Sequence, residues 1–281
     1  MRMRRRTGDV AARPRQLELF YTGPPSKRRF PSGEKWGRPE KEGAGPRHVA
    51  RPGLDPRHPV HVTLEVRAGL PSLRRAREFR VVRRAIVAGL GRFGTRLVAW
   101  SVQTNHVHLL VEVDGRELLR EERPGIEGSK LDALDAEEVA KLTRRALSKA
   151  RKGFGVRTAS ALNALWGRRG DVWKERYHTV VITGPKQMWY ALRYVLTNGQ
   201  KHGACHEQID PCSSAPYFQH WEAPIPPPTE PREEWPVDEP RTWIGAVGWK
   251  RYGPIPFPKI AGRAAPAPRR PRTPARALLP T

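Results

Sequence analysis

RLVAWSVQTNHVHLLVEV, residues Arg96 to Val113, holds two runs rich in β-branched and aliphatic side chains joined at Thr104-Asn105. Two such runs about a tight link read as a β-hairpin, 96–103 and 106–113. Side chains alternate across a strand. His106 and His108 therefore share one face, while Val107, Leu109 and Val111 point to the other.

The texture on either side of the hairpin extends the pattern. HPVHVTLEV, residues 58–66, reads as a strand, and Ser72 is placed to cap a helix. In that helix Leu73, Ala76, Phe79, Val82, Ile86, Leu90 and Phe93 recur at steps of three or four. After the hairpin, 115–134 reads as a charged loop. Asp135 with Glu138 three residues on resembles a capping box, opening a helix through about Lys152. VWKERYHTVVI, residues 172–182, is a further strand candidate, and Gly184-Pro185 introduces a last helix over about 186–201. The order β-α-β-β-α-β-α is the split βαβ pattern. The predicted class is α+β: a ferredoxin-like antiparallel sheet with helices on one face. If helices cover the aliphatic face, the histidines lie on the open one.

Composition sets the partner class. The 281 residues carry a formal charge of +24, from 52 Lys+Arg against 28 Asp+Glu. A surplus of that size draws polyanions, and each phosphate neutralised releases counterions, so nucleic acid leads over a merely soluble basic protein or an anionic membrane surface. No apolar run is long enough to span a bilayer, and the basic start lacks the apolar stretch of a secretory signal. Two cysteines cannot staple a secreted scaffold. The expected setting is cytoplasmic, with access to DNA.

The flanks differ in kind. Residues 1–57 hold 15 Lys/Arg and 6 Asp/Glu without an apolar period and read as a disordered basic arm. The catalytic domain is expected over 58–205. A Pro-rich acidic linker (206–240), a short Trp-rich appendage (241–257) and a disordered basic tail (258–281) follow it. The appendage reads either as a short helix docked on the core or as a small DNA contact.

Two groups of residues point to chemistry. Paired imidazoles on one strand face can chelate a divalent ion and leave coordination positions for a phosphate oxygen, although a bare His-x-His is also found as surface decoration. On the last helix Tyr190, Tyr194 and Asn198 are spaced by four and share a stripe, whereas Met188, Leu192 and Val195 form a second stripe suited to packing. A tyrosine can act as a covalent nucleophile, and an amide oxygen one turn on can complete a metal shell.

Together QTNHVHLLV (103–111) and YVLTN (194–198) resemble the single-tyrosine HUH transposases, and more narrowly the REP-associated tyrosine transposases, which are insertion-sequence-200-like. The aromatic-basic stretch WKERYH, 173–178, is similar to the strand before the tyrosine helix in that family, and the resemblance covers roughly 58–203. It implies His106, His108 and Asn198 as ligands of magnesium or manganese and Tyr194 as nucleophile, with Tyr190 the fallback. It also implies a 5′-phosphotyrosine intermediate and a hairpin or single-stranded DNA substrate, with either a monomer or a homodimer allowed. Many relatives continue as Asn-Pro-Val, where this chain has Asn198-Gly199-Gln200.

For DNA contact the basic and aromatic side chains Arg74, Arg84, Arg144, Arg145, Lys149, Trp173 and Tyr177 are candidates. His202, Cys205, His206 and Cys212 have zinc-ligand types at an unusual spacing, and a helix end followed by a loop is the better reading. The rivals are an RNA-recognition module, disfavoured because the strand face carries His106, His108, Leu110 and Glu112 in place of aromatics, and a replication-initiator nuclease. A domesticated, non-mobilising protein acting on repeats would use the same site.

Overall fold

Four strands form one antiparallel sheet in the computed structural model, which describes residues 53–174 and 177–258. They are β1 (Val60–Glu65), β2 (Thr95–Val102), β3 (His106–Val113) and β4 (His178–Val181), in the order β2-β3-β1-β4. That order, antiparallel at every neighbour, is the split βαβ arrangement expected from the element sequence. The basic arm up to residue 52 and the tail from 259 lie outside the described residues.

The aliphatic face is built by alternation. Val60, Val62 and Leu64 of β1 and Val107, Leu109, Val111 and Val113 of β3 meet helix α1 (Ala76–Val87) and the helix over Ala136–Leu165 in one core. Each fully buried aliphatic side chain there contributes about 1.5–3 kcal/mol relative to exposure. A bulge between Leu97 and Ala99 moves β2 by one residue against β3. A bulge of that kind re-aims the side chains beyond it, so Leu97, Trp100 and Val102 all reach the core, whereas Ala99 and Ser101 turn to the histidine face.

Several elements differ from the sequence reading. The loop expected over 115–134 contains α2 (Gly115–Glu122) and α3 (Gly128–Asp132); Asp114 caps the first by accepting from Arg116 N–H, and Leu118 and Leu131 are buried. Helix α1 starts after Arg75, not at Ser72, and ends at Val87, so Leu90 and Phe93 fall in a turn where Gly91, Phe93 and Gly94 take positive φ. The capping box of Asp135 and Glu138 is formed as expected. Helix α4 (Ala136–Leu165) nevertheless runs past Lys152, through Gly153 and Gly155. Burial of Phe154, Thr158 and Leu162 outweighs the roughly 1 kcal/mol cost of each glycine. Only 178–181 of the strand expected over 172–182 pairs in the sheet, with Trp173 making an isolated bridge to Val66.

The histidine face is covered rather than open. Helix α5 (Pro185–Leu196) lies on it and buries Met188, Ala191, Leu192, Tyr194 and Val195. The chain after residue 205, read from composition as linker and appendage, packs on the same fold. Ser214 exchanges hydrogen bonds with Trp100, and Val102 N–H donates to Cys212 O. Asp238 pairs with Leu97, and Trp100 Nε1 donates to Pro236 O at 2.8 Å. These bonds satisfy the free edge of β2, which otherwise invites pairing with another chain. No described helix is long and apolar enough to cross a membrane.

Candidate active site

Register decides which side chains meet on the covered face. Thr63 of β1 lies opposite His108, and Glu65 lies opposite His106. His61, two residues before Thr63, therefore sits diagonally from His108, with its Nε2 3.1 Å from His108 Nδ1. Thr63 Oγ1 is also 3.1 Å from that Nδ1. The remaining His108 nitrogen, Nε2, faces His106 Nε2 at 3.0 Å, and His106 Nδ1 lies 2.8 Å from Asn105 Oδ1.

These contacts constrain the tautomers. An amide oxygen only accepts, so in the contact with Asn105 His106 donates from Nδ1, which makes its Nε2 the acceptor nitrogen. His108 has two consistent states. With its proton on Nε2 it donates to His106; with its proton on Nδ1 it donates to Thr63 or His61. The second state turns two bare nitrogens toward each other, which is stable only with a cation shared between them. A separation of 3.0 Å is that of an ordinary N–H···N hydrogen bond, and two imidazole nitrogens so placed are also donors of the type that would hold a divalent ion.

Burial keeps the cluster neutral. It pushes His61 down to about 4, helped by the nearby charges His178 and His106 could carry. His106 is likewise pushed down to about 4 by burial and by His202, with Glu65 opposing. His108 is held well below the ordinary range by burial first and then by His61, His106 and His202. Unprotonated imidazoles are the form that ligates metals.

Helix α5 brings Tyr194 to this cluster. Tyr194 is 8 % exposed, and its ring meets the His108 ring edge-on, with centroids 5.2 Å apart, and the His61 ring at 5.8 Å. Tyr190, one turn earlier, is 44 % exposed and packs against Trp189. Lys201 Nζ stands 5.4 Å from the centre of the Tyr194 ring, and burial lowers its affinity for a proton.

Asn198 is fully buried, and neither its Oδ1 nor its Nδ2 has a hydrogen-bond partner. Leaving such an amide unsatisfied costs on the order of 1–3 kcal/mol. The helix expected over 186–201 breaks before it: Thr197 takes φ −112° and its hydroxyl donates to Arg193 O, and α6 (Asn198–Lys201) follows. Gly199 is explained by packing, because a Cβ there would overlap the Asp210 carboxylate. Two imidazole nitrogens and an unsatisfied buried amide are donor types that a divalent ion accepts.

Among the described residues no three His, Cys, Asp or Glu side chains converge to hold a metal. His202, Cys205, His206 and Cys212 thus form no such group. Both thiols are free, and burial raises both, Cys212 to about 11.

The proposed DNA contacts are not gathered at this site. Arg74 is committed to Asp210 by two hydrogen bonds of 2.7 and 2.9 Å and to Val102 O at 2.9 Å. Arg145 and Lys149 both pair with Glu122; with half-buried Arg144 they ride on α4, and exposed Arg84 rides on α1, behind the aliphatic face. Trp173 Nε1 donates to Gly155 O, and the Arg151 guanidinium lies 4.4 Å from the Tyr177 ring centre.

His61, Lys201 and His202 are the residues sequence reasoning did not place here. His61 was legible only as part of a strand; its role needs the β1–β3 register, which nothing local encodes.

No family model matches the chain, and no curated protein matches it. A solved structure of a REP-associated tyrosine transposase bound to a REP hairpin is similar, with a TM-score of 0.40 and 17% identity. The alignment covers 60% of this chain and 82% of that one.

Proposed function

We propose that the chain is a transposase-like strand transferase that cleaves and rejoins single-stranded DNA, at hairpins, through Tyr194. One constellation carries the reading: the Tyr194 ring lies 5.2 Å from the His108 ring, whose Nε2 faces His106 Nε2 at 3.0 Å, while the buried Asn198 amide lacks a partner. His106, His108 and Asn198 would hold magnesium or manganese. Such an ion supplies Lewis acidity to a phosphate oxygen.

The residues present account for the other requirements. With the His108 proton on Nδ1, donated to Thr63 or His61, and the His106 proton on Nδ1, donated to Asn105, both Nε2 atoms would be left for a ligand. Lys201 places a cation against the face of the Tyr194 ring. Tyr194 oxygen attacks phosphorus in line, a bond to the phenolic oxygen forms, and the bond to the 3′ oxygen breaks. The leaving 3′-hydroxyl takes a proton. Attack by a different 3′-hydroxyl reverses the step and restores Tyr194, so no external energy source is needed.

His106→Ala tests the assignment with cleavage and binding read separately. The variant is expected to lose cleavage of a hairpin pool in manganese while retaining its affinity for that pool. Wild-type cleavage by the variant would remove the histidine pair from the chemistry. Binding without cleavage by the wild-type protein on a cognate hairpin would favour the domesticated, non-mobilising role.

A further inference from the structure

A second constellation lies at the other end of the sheet. Strand β3 carries His106 and His108 near its start and Glu112 on the same face four residues later, roughly 13 Å along the strand. Glu112 is buried, and its carboxylate accepts from Arg241 N–H, Thr242 N–H and the Thr242 hydroxyl. Gly245 is needed for this contact, since a Cβ there would overlap Glu112 Oε1. The buried acid thereby clamps the start of α7 (Trp243–Ala246) onto the sheet.

The clamp presents Trp243 at the wall of a cleft of about 660 Å³. Trp243 is 59 % exposed, the highest value for any aromatic side chain among the described residues. Its ring rests on Gly248, where a Cβ would come within 2.8–3.0 Å of three ring atoms. Glycine at 248 therefore lets the indole lie against the backbone, with more than half its surface left to solvent. An indole held in that way is a stacking platform rather than a core residue.

Guanidiniums line the same cleft. Arg96 and Arg241 are both held by Glu117, at 3.0 and 2.7 Å. Arg116 spends only Nε, weakly, on Leu131 O at 3.4 Å and has no carboxylate partner among the described residues. An open platform beside an uncommitted guanidinium matches a ligand with a flat π-face and a phosphate.

We propose that this cleft binds one unstacked nucleotide of single-stranded DNA, with its base on Trp243 and its phosphate on Arg116. A free nucleotide has the same chemistry. The strand is favoured because the cleft is open and lies on the same sheet face as the histidine pair. The proposal rests on the reading of the chain as a DNA-binding protein, but not on cleavage.

The test measures binding of a labelled oligothymidylate of about 15 nucleotides to the full chain by fluorescence anisotropy, with thymidine 5′-monophosphate as competitor. Trp243→Ala is expected to weaken the oligonucleotide about tenfold or more. Trp243→Phe should recover part of that loss, and Arg116→Gln should weaken binding and flatten its salt dependence. The monophosphate should compete only at far higher concentration. Trp243 is exposed, so the thermal midpoint of the alanine variant should match wild type. Unchanged affinity in both Trp243→Ala and Arg116→Gln would overturn the proposal, as would a monophosphate that competes as well as the oligonucleotide. Covalent adduct formation at saturating DNA separates the two sites: it should survive in Trp243→Ala, and its loss there would mean that Trp243 serves the chemistry or the fold. Absence of any adduct in wild type, with Trp243-dependent binding intact, would defeat the cleavage reading and leave this site standing.

Discussion

Acidification should unfold this protein through its histidine cluster before its carboxylates matter. His61 is held at about 4, against an ordinary value near 6.5. Between those two values the unfolded chain binds a proton that the folded chain refuses, so the His61 contribution to folded stability falls as pH drops from about 6.5 to about 4 and changes no further below that. A depression of that size corresponds to about 3 kcal/mol for His61 alone. His106 and His108 act in the same direction, yet the three share one cluster, so their contributions do not simply add. That loss is comparable with much of the total stability of an ordinary domain.

The assay is reversible urea unfolding at pH 8 to 4.5 in chelator, repeated with manganese. In chelator the midpoint should hold near pH 7–8 and fall steeply below about 6.5. Manganese should raise it at neutral pH, and the gain should fade as protons compete for the imidazoles. His61→Asn, which removes one titrating group and offers an amide to His108 Nδ1, should flatten the slope. A midpoint flat from pH 7.5 to 4.5 would refute the picture of imidazoles buried in their neutral form.

Arg74→Ala should cost about 3–5 kcal/mol in the same urea assay, because it strands the fully buried Asp210 carboxylate. A loss under about 1 kcal/mol would mean that Asp210 does not depend on Arg74. Lys201→Met should slow adduct formation about tenfold or more at saturating DNA while leaving affinity unchanged, since it removes the cation beside the Tyr194 ring. An unchanged single-turnover rate would assign Lys201 to packing alone.

What could be read from the sequence was local. The alternation of His106-Val107-His108 fixed the two faces of β3, and the spacing of Tyr194 brought it to the histidine face as expected from a four-residue stripe. Tyr190 belongs to the same stripe but lies one turn earlier in α5, where the ring reaches solvent. Strand pairing was not legible: His61 joins His108 only because Thr63 sits opposite it. The segment 206–240 was misread because proline and acid suggest a linker, whereas the docked helix read as one alternative for 241–257 is present as α7. The linker backbone and Asp238 instead close the edge of β2, and Thr242 just after it is held by Glu112 near the end of β3. Arg74 looked like a phosphate contact because its acidic partner lies 136 residues away.

The most direct test of the central claim offers labelled single-stranded hairpins, with magnesium or manganese, to wild type and to Tyr194→Phe, and looks for a covalent protein–DNA adduct on a denaturing gel. The phenylalanine ring keeps the packing against His61 and His108 and lacks only the oxygen. An adduct is expected with wild type and none with the variant. An adduct that persists in Tyr194→Phe would contradict that claim and move the nucleophile elsewhere, with Tyr190 the first place to look.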